Sequence, residues 1–528
     1  MKENLLKTPK KSATVRMYRQ GHGDCFLIAF ARKGNTTPYY VLIDCGLKPG
    51  SQNFIHKKEG SDDFADGPEI EEIVEHIGQS TNFHLDLMIV THEHQDHVNG
   101  IWKKTNPYFE KFEIDEAWFA WTEDPTDELA NSLRKKHHDQ LLGLIAATDK
   151  LASFETDDRK ISAVSRLNEL LGMEIGGQQE VFGAGMMGAA ASDPAGSVNK
   201  QAMKFVKDKA SQKRGVRYLN PGDHVVLESG EPGIGVYVLG PPRSETLLVD
   251  EDPVGSEGFP DAIAASHNVS FMAAVKTDPG CGATPFDPRF NNPFSDNYDS
   301  EDFFVKHYGF GPKASGIPET IVEADADMEE VKDNADWRRI DEDWLGSAEN
   351  LALKLNTGIN NTSLVLAFEL PFSKKVLFFA GDAQRGNWIS WDDQTWGVSP
   401  QTISAKDILS RAVLYKVGHH GSHNATLAGK VTDEHASLSW MGQGKFSGEF
   451  TAMITAVNKW AMTKNTPPWR HPLPSIRKAL EEKTAGRIFQ TDISTLTKPV
   501  DVSDSAWKKF LGKCAFDRLY FDYTVMDS

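Results

Sequence analysis

The stretch Thr91-His-Glu-His-Gln-Asp-His-Val-Asn-Gly100 brings three histidines and one aspartate into six positions. The four residues are His92, His94, Asp96 and His97. They follow the apolar run Leu87–Val90, which predicts a buried strand that ends at the cluster. Imidazoles this close repel one another when protonated, and burial of their nitrogens is unfavourable without partners. Because neutral imidazole and carboxylate are common metal ligands, the pattern predicts a metal site rather than a solvated polar loop.

Polar side chains also follow other predicted core strands. They are Asp44 after Val41-Leu42-Ile43, Asp382 after Phe378-Phe379-Ala380-Gly381, and His419 and His420 after Tyr415-Lys416-Val417-Gly418. A single polar residue at a strand end is usually satisfied by local hydrogen bonds. Several of them in one chain with the histidine cluster favour a shared set of metal ligands, since α/β folds place their sites at carboxyl ends of strands.

The composition is that of a large globular protein. The chain has 528 residues, of which 39% are hydrophobic, and a net charge of −18, which disfavours a general polyanion-binding surface. Four cysteines without metal-type spacing indicate a reducing compartment, although Cys25 and Cys45 are expected on neighbouring strands. With neither a secretory signal nor an apolar run of membrane-spanning length, a cytoplasmic protein without membrane contact is expected.

Periodicity divides the chain into a recurring β-rich core and two interruptions. Strands are predicted at 15–18, 26–30, 39–43 and 87–90, and a helix with Ile70, Ile73, Val74 and Ile77 on one face. The predicted organisation is a first core part at 13–102, a mainly helical insertion at 103–213, core strands at 214–242, an irregular insertion at 243–346 and a second core part at 347–528.

These motifs resemble the metallo-β-lactamase superfamily. The signals are Leu42-Ile43-Asp44-Cys45-Gly46, the run from Thr91 to His97, Phe379-Ala380-Gly381-Asp382 and Val417-Gly418-His419-His420-Gly421-Ser422. More narrowly, Gln20-Gly21-His22-Gly23-Asp24, Asn360-Asn361-Thr362-Ser363 and His471-Pro472 resemble the corresponding domain of bacterial competence DNA-uptake proteins and its free-standing relatives. About half of the chain is covered, and neither insertion belongs to the resemblance. It implies an α/β fold of the αββα sandwich type, here with two insertions.

The resemblance also implies a site with two metal ions. His92 and His94 would bind metal one, Asp96 and His97 would bind metal two, and Asp382 would bridge both. His419 would complete metal two, with His420 as the alternative because the doublet leaves the register open. Asp96, His420 and Asp44 are then the predicted catalytic residues, Asp44 orienting the loop and His420 or His423 protonating the leaving group.

One departure from the family pattern concerns metal one. A third histidine usually completes that ion, whereas Asn360-Asn361 stands at the corresponding place. Asparagine is a weaker, neutral oxygen ligand, which favours a harder ion such as manganese. Two divalent ions, zinc or manganese, are therefore the expected cofactors.

The function expected from this site is metal-dependent hydrolysis, with a phosphodiesterase or nuclease first. Paired divalent ions activate water and stabilise the attacking and leaving oxygens of a phosphodiester. Lys103, Lys104, Arg385 and Lys416 near the motifs favour phosphate. Nucleic acid or another phosphodiester is the expected substrate, and the insertions are candidate segments for a protein partner.

Two alternatives stay open. The same ions serve hydrolysis of a carbonyl substrate such as a lactone, β-lactam or thioester, because a fold does not fix a function. In the second alternative, the chain is a binding or scaffold protein with a structural metal site. The run Lys135-Lys136-His137-His138 is predicted to be a solvated helix face.

Overall fold

The computed structural model describes residues 5–259, 358–397, 402–464 and 469–528, apart from a few loop positions, 103–105 and most of 153–196. Within 153–196 it describes Leu167, Leu171, Gly172 and Glu174. The chain forms two compact units. The first comprises Met1–Gln140, Asn168–Ala265 and Lys354–Ser528, and the second comprises Leu141–Leu167 and Ser266–Leu353. Of the second unit, 141–152 and Leu167 are described, and every strand below belongs to the first.

Twenty-one strands are present in the described residues. In chain order they are β1 (Ser12–Tyr18), β2 (Cys25–Phe30), β3 (Tyr39–Cys45), β4 (His56–Lys57), β5 (Phe64–Ala65), β6 (His84–Leu85), β7 (Leu87–Ile89), β8 (Glu113–Ile114), β9 (Glu116–Ala120), β10 (Gly215–Leu219), β11 (His224–Leu227), β12 (Ile234–Gly240), β13 (Val365–Glu369), β14 (Val376–Phe379), β15 (Thr395–Trp396), β16 (Ile403–Ser404), β17 (Ala412–Lys416), β18 (Thr451–Ile454), β19 (Ile488–Gln490), β20 (Cys514–Phe516) and β21 (Tyr520–Met526).

The helices connect these strands. In chain order they are α1 (Ile70–Thr81), α2 (Gln95–Val98), α3 (Asn106–Phe109), α4 (Glu128–Ala152), α5 (Val198–Ser211), α6 (Glu245–Leu248), α7 (Arg385–Ile389), α8 (Ala405–Ser410), α9 (Asn458–Ala461), α10 (Pro474–Thr484) and α11 (Asp504–Leu511). Among the described residues, no helix combines the length and the apolar character that crossing a membrane requires.

Two large sheets organise the first unit. The first has the order β10-β9-β7-β3-β2-β1-β21-β20, and the second has the order β11-β12-β13-β14-β17-β18-β19. Each sheet combines an antiparallel half with a parallel half: β3, β7, β9 and β10 run parallel in the first, and β14, β17, β18 and β19 in the second. Parallel neighbours are joined by crossover connections, and the loops that leave their carboxyl ends can carry functional side chains.

One apolar core joins the two sheets. Val15, Ile28 and Val41 of the first sheet share a buried cluster with Leu366 and Leu377 of the second. The outer faces are covered by helices. In the first sheet, Leu27, Leu42 and Met88 pack with α1 and α5, and in the second, Phe378 and Tyr415 pack with α7, α8 and α10. Because both faces of the central strands are covered, β2 and β17 are buried along their whole length, and apart from Lys416 at the end of β17 they do not alternate apolar with charged residues.

Most predicted core elements are confirmed. The strands predicted in the first core part are β1, β2, β3 and β7, and Ile73, Val74 and Ile77 form the buried face of α1. Cys25 lies opposite Cys45 on β2 and β3, and both are free thiols.

The segment predicted as a helical insertion differs from its prediction. It contains β9, which pairs with β7 and extends the first sheet. The sequence Glu-Ala-Trp-Phe-Ala is too short to stand out from its helical surroundings, but all five residues are buried. Of the irregular insertion predicted at 243–346, the structure describes 243–259, a stretch that contains α6. The remainder lies outside the described residues.

Candidate metal centre

The carboxyl ends of four strands carry the candidate site. β3 ends at Asp44 and Cys45, β7 leads into the histidine cluster, β14 leads to Asp382, and β17 leads to the His419–His420 doublet. β3 is parallel to β7, and β14 is parallel to β17. Each sheet therefore delivers two of these loops to the same edge, where side chains from the two sheets meet.

Four buried side chains form the centre of the site. They are Asp96, His97, Asp382 and His420, and their ligand atoms all lie within 4.8 Å of one another. Nε2 of His420 is 2.9 Å from Oδ2 of Asp96 and 3.5 Å from Oδ2 of Asp382. Nε2 of His97 is 3.2 Å from Oδ2 of Asp382. Two histidines and two carboxylates so arranged are a suitable ligand set for a divalent ion.

The proton positions of His420 support the same interpretation. Its Nδ1 lies 3.1 Å from the carbonyl oxygen of Thr455, which only accepts hydrogen bonds. Nδ1 therefore carries the proton, and in the neutral ring Nε2 presents a lone pair to the carboxylates of Asp96 and Asp382. Three acceptors that face one another are stabilised by a cation. Oδ1 of Asp96 and Nε2 of His97 likewise face charged groups, Nζ of Lys48 at 3.1 Å and Oδ2 of Asp382 at 3.2 Å.

Asp44 orients His97 and the turn that precedes it. The carboxylate of Asp44 accepts hydrogen bonds from the backbone N–H of Thr91 at 2.8 Å, from the Thr91 hydroxyl at 2.7 Å and from Nδ1 of His97 at 2.8 Å. Burial raises the pKa of Asp44, and its hydrogen-bond donors oppose that rise. This network is the role that the sequence resemblance implied for Asp44, which makes no other described contact with the group of four.

His92 and His94 form a second, adjacent pair of nitrogens. Nε2 of His92 lies 3.2 Å from Nδ1 of His94, and both side chains are buried. Nδ1 of His92 lies 3.1 Å from the Thr91 hydroxyl oxygen and 3.2 Å from that of Ser363. The Thr91 hydroxyl proton is already donated to Asp44, so this oxygen is able to accept from Nδ1 of His92. When Nδ1 carries the proton, Nε2 of His92 has a lone pair directed at His94, which suits an ion ligated by both rings.

The structure reverses the predicted order of the histidine doublet. His420 belongs to the group of four, whereas His419, predicted as the ligand, points its ring at Ser422 and Asn424, with Nδ1 2.8 Å from Oγ of Ser422. Both residues have left-handed backbone angles, with φ of 39° and 53°, so the two rings diverge. His420 is likewise corrected as a proton donor, because both of its nitrogens are engaged.

Two buried lysines balance part of the negative charge. Nζ of Lys416 contacts a carboxylate oxygen of Asp24 and lies 3.3 Å from Oδ1 of Asp382. Nζ of Lys48 lies 3.1 Å from Oδ1 of Asp96. Burial would lower the pKa of Lys416, but Asp24 and Asp382 outweigh it and raise the pKa above its ordinary value. Four buried carboxylates, those of Asp24, Asp44, Asp96 and Asp382, outnumber the two ammonium groups and leave the site attractive to further cations.

Burial and this excess of negative charge shift the pKa values of His97 and His92 in opposite directions. Burial alone would lower the pKa of His97, yet Asp382, Asp24 and Asp44 raise it well above its ordinary value. Burial, together with His97 and His94, lowers the pKa of His92 well below its ordinary value. A positively charged ring is therefore favoured at His97, inside the group of four. The ring of His92 is neutral and can offer a lone pair to a metal ion.

Sequence reasoning missed several residues of the site. Lys48 lies in a loop without a recognisable pattern, and Asp24 appeared only as part of the motif that carried the family resemblance. Glu174 contacts His94 and His137, so the predicted solvated face at 135–138 is wrong for His137, whose side chain is 15% exposed.

The cations expected to favour phosphate are distributed unevenly. Arg385 is paired with Asp250 and Glu257, whereas Lys416 lies inside the site. Lys103 and Lys104 lie outside the described residues. Asn360, expected at the place of a third histidine, is buried with Nδ2 3.4 Å from Nε2 of His419, and its Oδ1 has no hydrogen-bond partner among the described residues.

Comparison with known proteins adds no assignment to this geometry. No family model matches the chain, and no curated protein is significantly similar to it. The mixed α/β architecture and the buried His/Asp groups therefore carry the functional argument.

Proposed function

We propose that this chain is a metal-dependent hydrolase of the metallo-β-lactamase type that cleaves phosphodiesters. The observation that carries the proposal is the meeting of Asp96, His97, Asp382 and His420 at one edge of two sheets, with ligand atoms within 4.8 Å of one another. The paired sheets with helices on their outer faces, and the parallel strands that end at the site, support assignment to this fold.

The ligand set fits two divalent ions. His92 and His94 would hold one, and Asp96, His97, Asp382 and His420 would hold the other, with zinc or manganese as the candidates. Bound divalent ions lower the pKa of a water molecule towards neutrality and polarise a phosphoryl oxygen. We favour a catalytic role for these ions over a purely structural one, because the group combines several carboxylates and histidines at an edge of the sheets where loops meet.

Three neighbouring residues orient these ligands. Asp44 fixes the His97 ring through Nδ1, and the carbonyl of Thr455 fixes that of His420. Lys416 holds the carboxylate of Asp382 in place and keeps a positive charge next to it. Because Lys416 is buried and already paired with Asp24 and Asp382, the preference for a phosphodiester rests on the two ions, which would stabilise its attacking and leaving oxygens.

His419 lies beside the group of four without belonging to it. Its backbone N–H donates to Oδ1 of Asp382 at 3.1 Å, and its ring is partly exposed. Burial lowers the pKa of His419 to about 4, so the ring is neutral near pH 7. In that state it contributes a hydrogen bond to substrate or water rather than a positive charge.

The test uses the full chain, stripped of metal and reloaded separately with zinc and manganese. Each form is incubated with labelled single-stranded DNA, RNA and bis-p-nitrophenyl phosphate, next to Asp382→Ala and, as a control, Asp208→Ala at an exposed helix position. Cleavage that requires metal and disappears in Asp382→Ala alone is the expected result. A metal-loaded chain that cleaves none of these, but hydrolyses a lactone or thioester, would overturn the phosphodiester assignment, and a chain without either activity would point to a structural metal site.

A further inference from the structure

Glu174 lies against the His92–His94 pair. Oε1 of Glu174 lies 3.0 Å from Nε2 of His94, and the Glu174 side chain is 2% exposed. The backbone carbonyl of Glu174 accepts a hydrogen bond from Nδ2 of Asn199, a fully buried residue of α5. Oε2 of Glu174 lies 3.3 Å from Nε2 of His137, on α4. The Glu174 carboxylate is therefore held between the candidate site and two helices.

The contact determines which nitrogen of His94 carries the proton. A carboxylate accepts hydrogen bonds, so Nε2 of His94 donates to Glu174. The lone pair is then on Nδ1, the nitrogen that lies 3.2 Å from Nε2 of His92. Glu174 thus acts on His94 as Asp44 acts on His97 and the Thr455 carbonyl acts on His420. Each ring has one nitrogen tied to an acceptor and the other turned towards the site.

We propose that Glu174 is a positioning residue for metal one, fixing the tautomer and the orientation of His94 so that His92 and His94 bind the ion together. This inference rests on the proposed function and deepens it, because it assigns a role in the metal centre to a segment that has no part in the family resemblance. A carboxylate behind a ligating histidine raises the basicity of the ring, and loss of such a partner typically weakens metal binding by about 10–100-fold.

The geometry separates this role from direct ligation. Glu174 contacts the nitrogen of His94 that faces away from His92, so it lies behind the ring rather than between the two histidines. His137 and Asn199 anchor Glu174, which links α4 and α5 to metal one rather than to metal two.

The experiment measures metal affinity directly, without substrate. Zinc and, separately, cobalt are titrated into the metal-free full chain in competition with a chromophoric chelator, for the wild type, Glu174→Ala and Glu174→Gln. Glu228→Ala, a change at an exposed glutamate, is the matched control. The visible spectrum of bound cobalt reports the ligand field of each ion, and thermal unfolding of the metal-free proteins reports folding.

We expect two bound ions in the wild type and a 10–100-fold weaker affinity, roughly, for one of them in Glu174→Ala, with the other unchanged. Glu174→Gln keeps an oxygen that accepts from His94 and should recover part of the loss. Unchanged affinities, or an equal loss at both ions, would overturn the proposal. So would a third ion that Glu174→Ala abolishes, because Glu93, His137 and Glu174 would then form a metal site themselves.

The result is distinguishable from failure of the proposed function. A wild-type chain that binds two ions but cleaves no phosphodiester refutes that function, while the titrations still decide the role of Glu174. A wild-type chain that binds no divalent ion refutes both.

Discussion

Nε2 of His420 lies 2.9 Å from Oδ2 of Asp96, although 324 residues separate them in the chain. Asp96 follows a strand of the first sheet, and His420 follows a strand of the second. The contact therefore joins the two sheets at the site and makes His420 the member of its doublet that belongs to the group of four.

This relationship predicts different effects for the two neighbouring histidines. His420→Asn should weaken binding of one divalent ion by about 100-fold or more, since loss of a ligand exceeds the loss of an orienting partner. His419→Asn should change affinity much less, because its ring points to Ser422 and Asn424. Chelator competition on both variants measures this, and the opposite order would restore His419 as the ligand.

A second prediction concerns the hydrogen bonds that Asp44 accepts. Asparagine has one acceptor oxygen, so Asp44→Asn sets an amide N–H against a donor of Thr91 or His97. The variant should lose about 1–3 kcal/mol of unfolding free energy, the range expected when a buried partner is removed. Chemical denaturation of the metal-free protein tests this. Thr91→Val, which removes the hydroxyl alone, should lose less, and equal losses would contradict the shared network.

A third prediction concerns the buried ion pair between β1 and β21. Nε of Arg16 donates to Oδ1 of Asp522 at 2.7 Å, and the two side chains are 6% and 12% exposed. Arg16→Met leaves the carboxylate without its cation and should destabilise the fold by about 3–5 kcal/mol. The double variant with Asp522→Leu should recover most of this in urea denaturation. If the double variant is no more stable than Arg16→Met, the unpaired carboxylate of Asp522 is not the cause of the lost stability.

A fourth prediction concerns acid stability and His76 on α1. Burial, with help from Arg16, lowers the pKa of His76 to about 4, below its ordinary value of 6.5. Above pH 6.5 neither state binds this proton, whereas between pH 6.5 and 4 the unfolded chain binds it first, so stability falls as pH falls. The free energy of unfolding should therefore fall less between pH 7 and pH 5 in His76→Gln than in the wild type. The difference in slope corresponds to the uptake of at most one proton on unfolding. Denaturation of the metal-free proteins at both pH values measures it, and parallel declines would refute it.

The positions of the site residues in the strands were predictable because they depend on local pattern. An apolar run followed by Asp44, Asp382 or the histidine cluster identifies a buried strand and the polar group at its end. Parallel pairing then brings such ends together, and the structure confirms that pairing for β3 with β7 and for β14 with β17.

What sequence reasoning could not supply depends on backbone angles and distant contacts. The choice between His419 and His420 follows from two left-handed residues in succession, which no side-chain pattern encodes. Glu174 meets His94 across 80 residues, in a segment with no motif. Lys416 was predicted to favour a phosphate substrate, but its pairing with Asp24 and Asp382 from two other loops was not foreseen.

The pairing of β1 with β21 has a consequence for synthesis of the chain. Thr14 on β1 and Thr524 on β21 are hydrogen-bonded partners 510 residues apart. During synthesis, the outer edge of β1 stays unpaired until β21 has followed, across the 510 residues that separate these two threonines. An open strand edge is a template for wrong pairing. We therefore expect this edge to need protection, by chaperones or by rapid closure of the neighbouring strands, until β21 has formed.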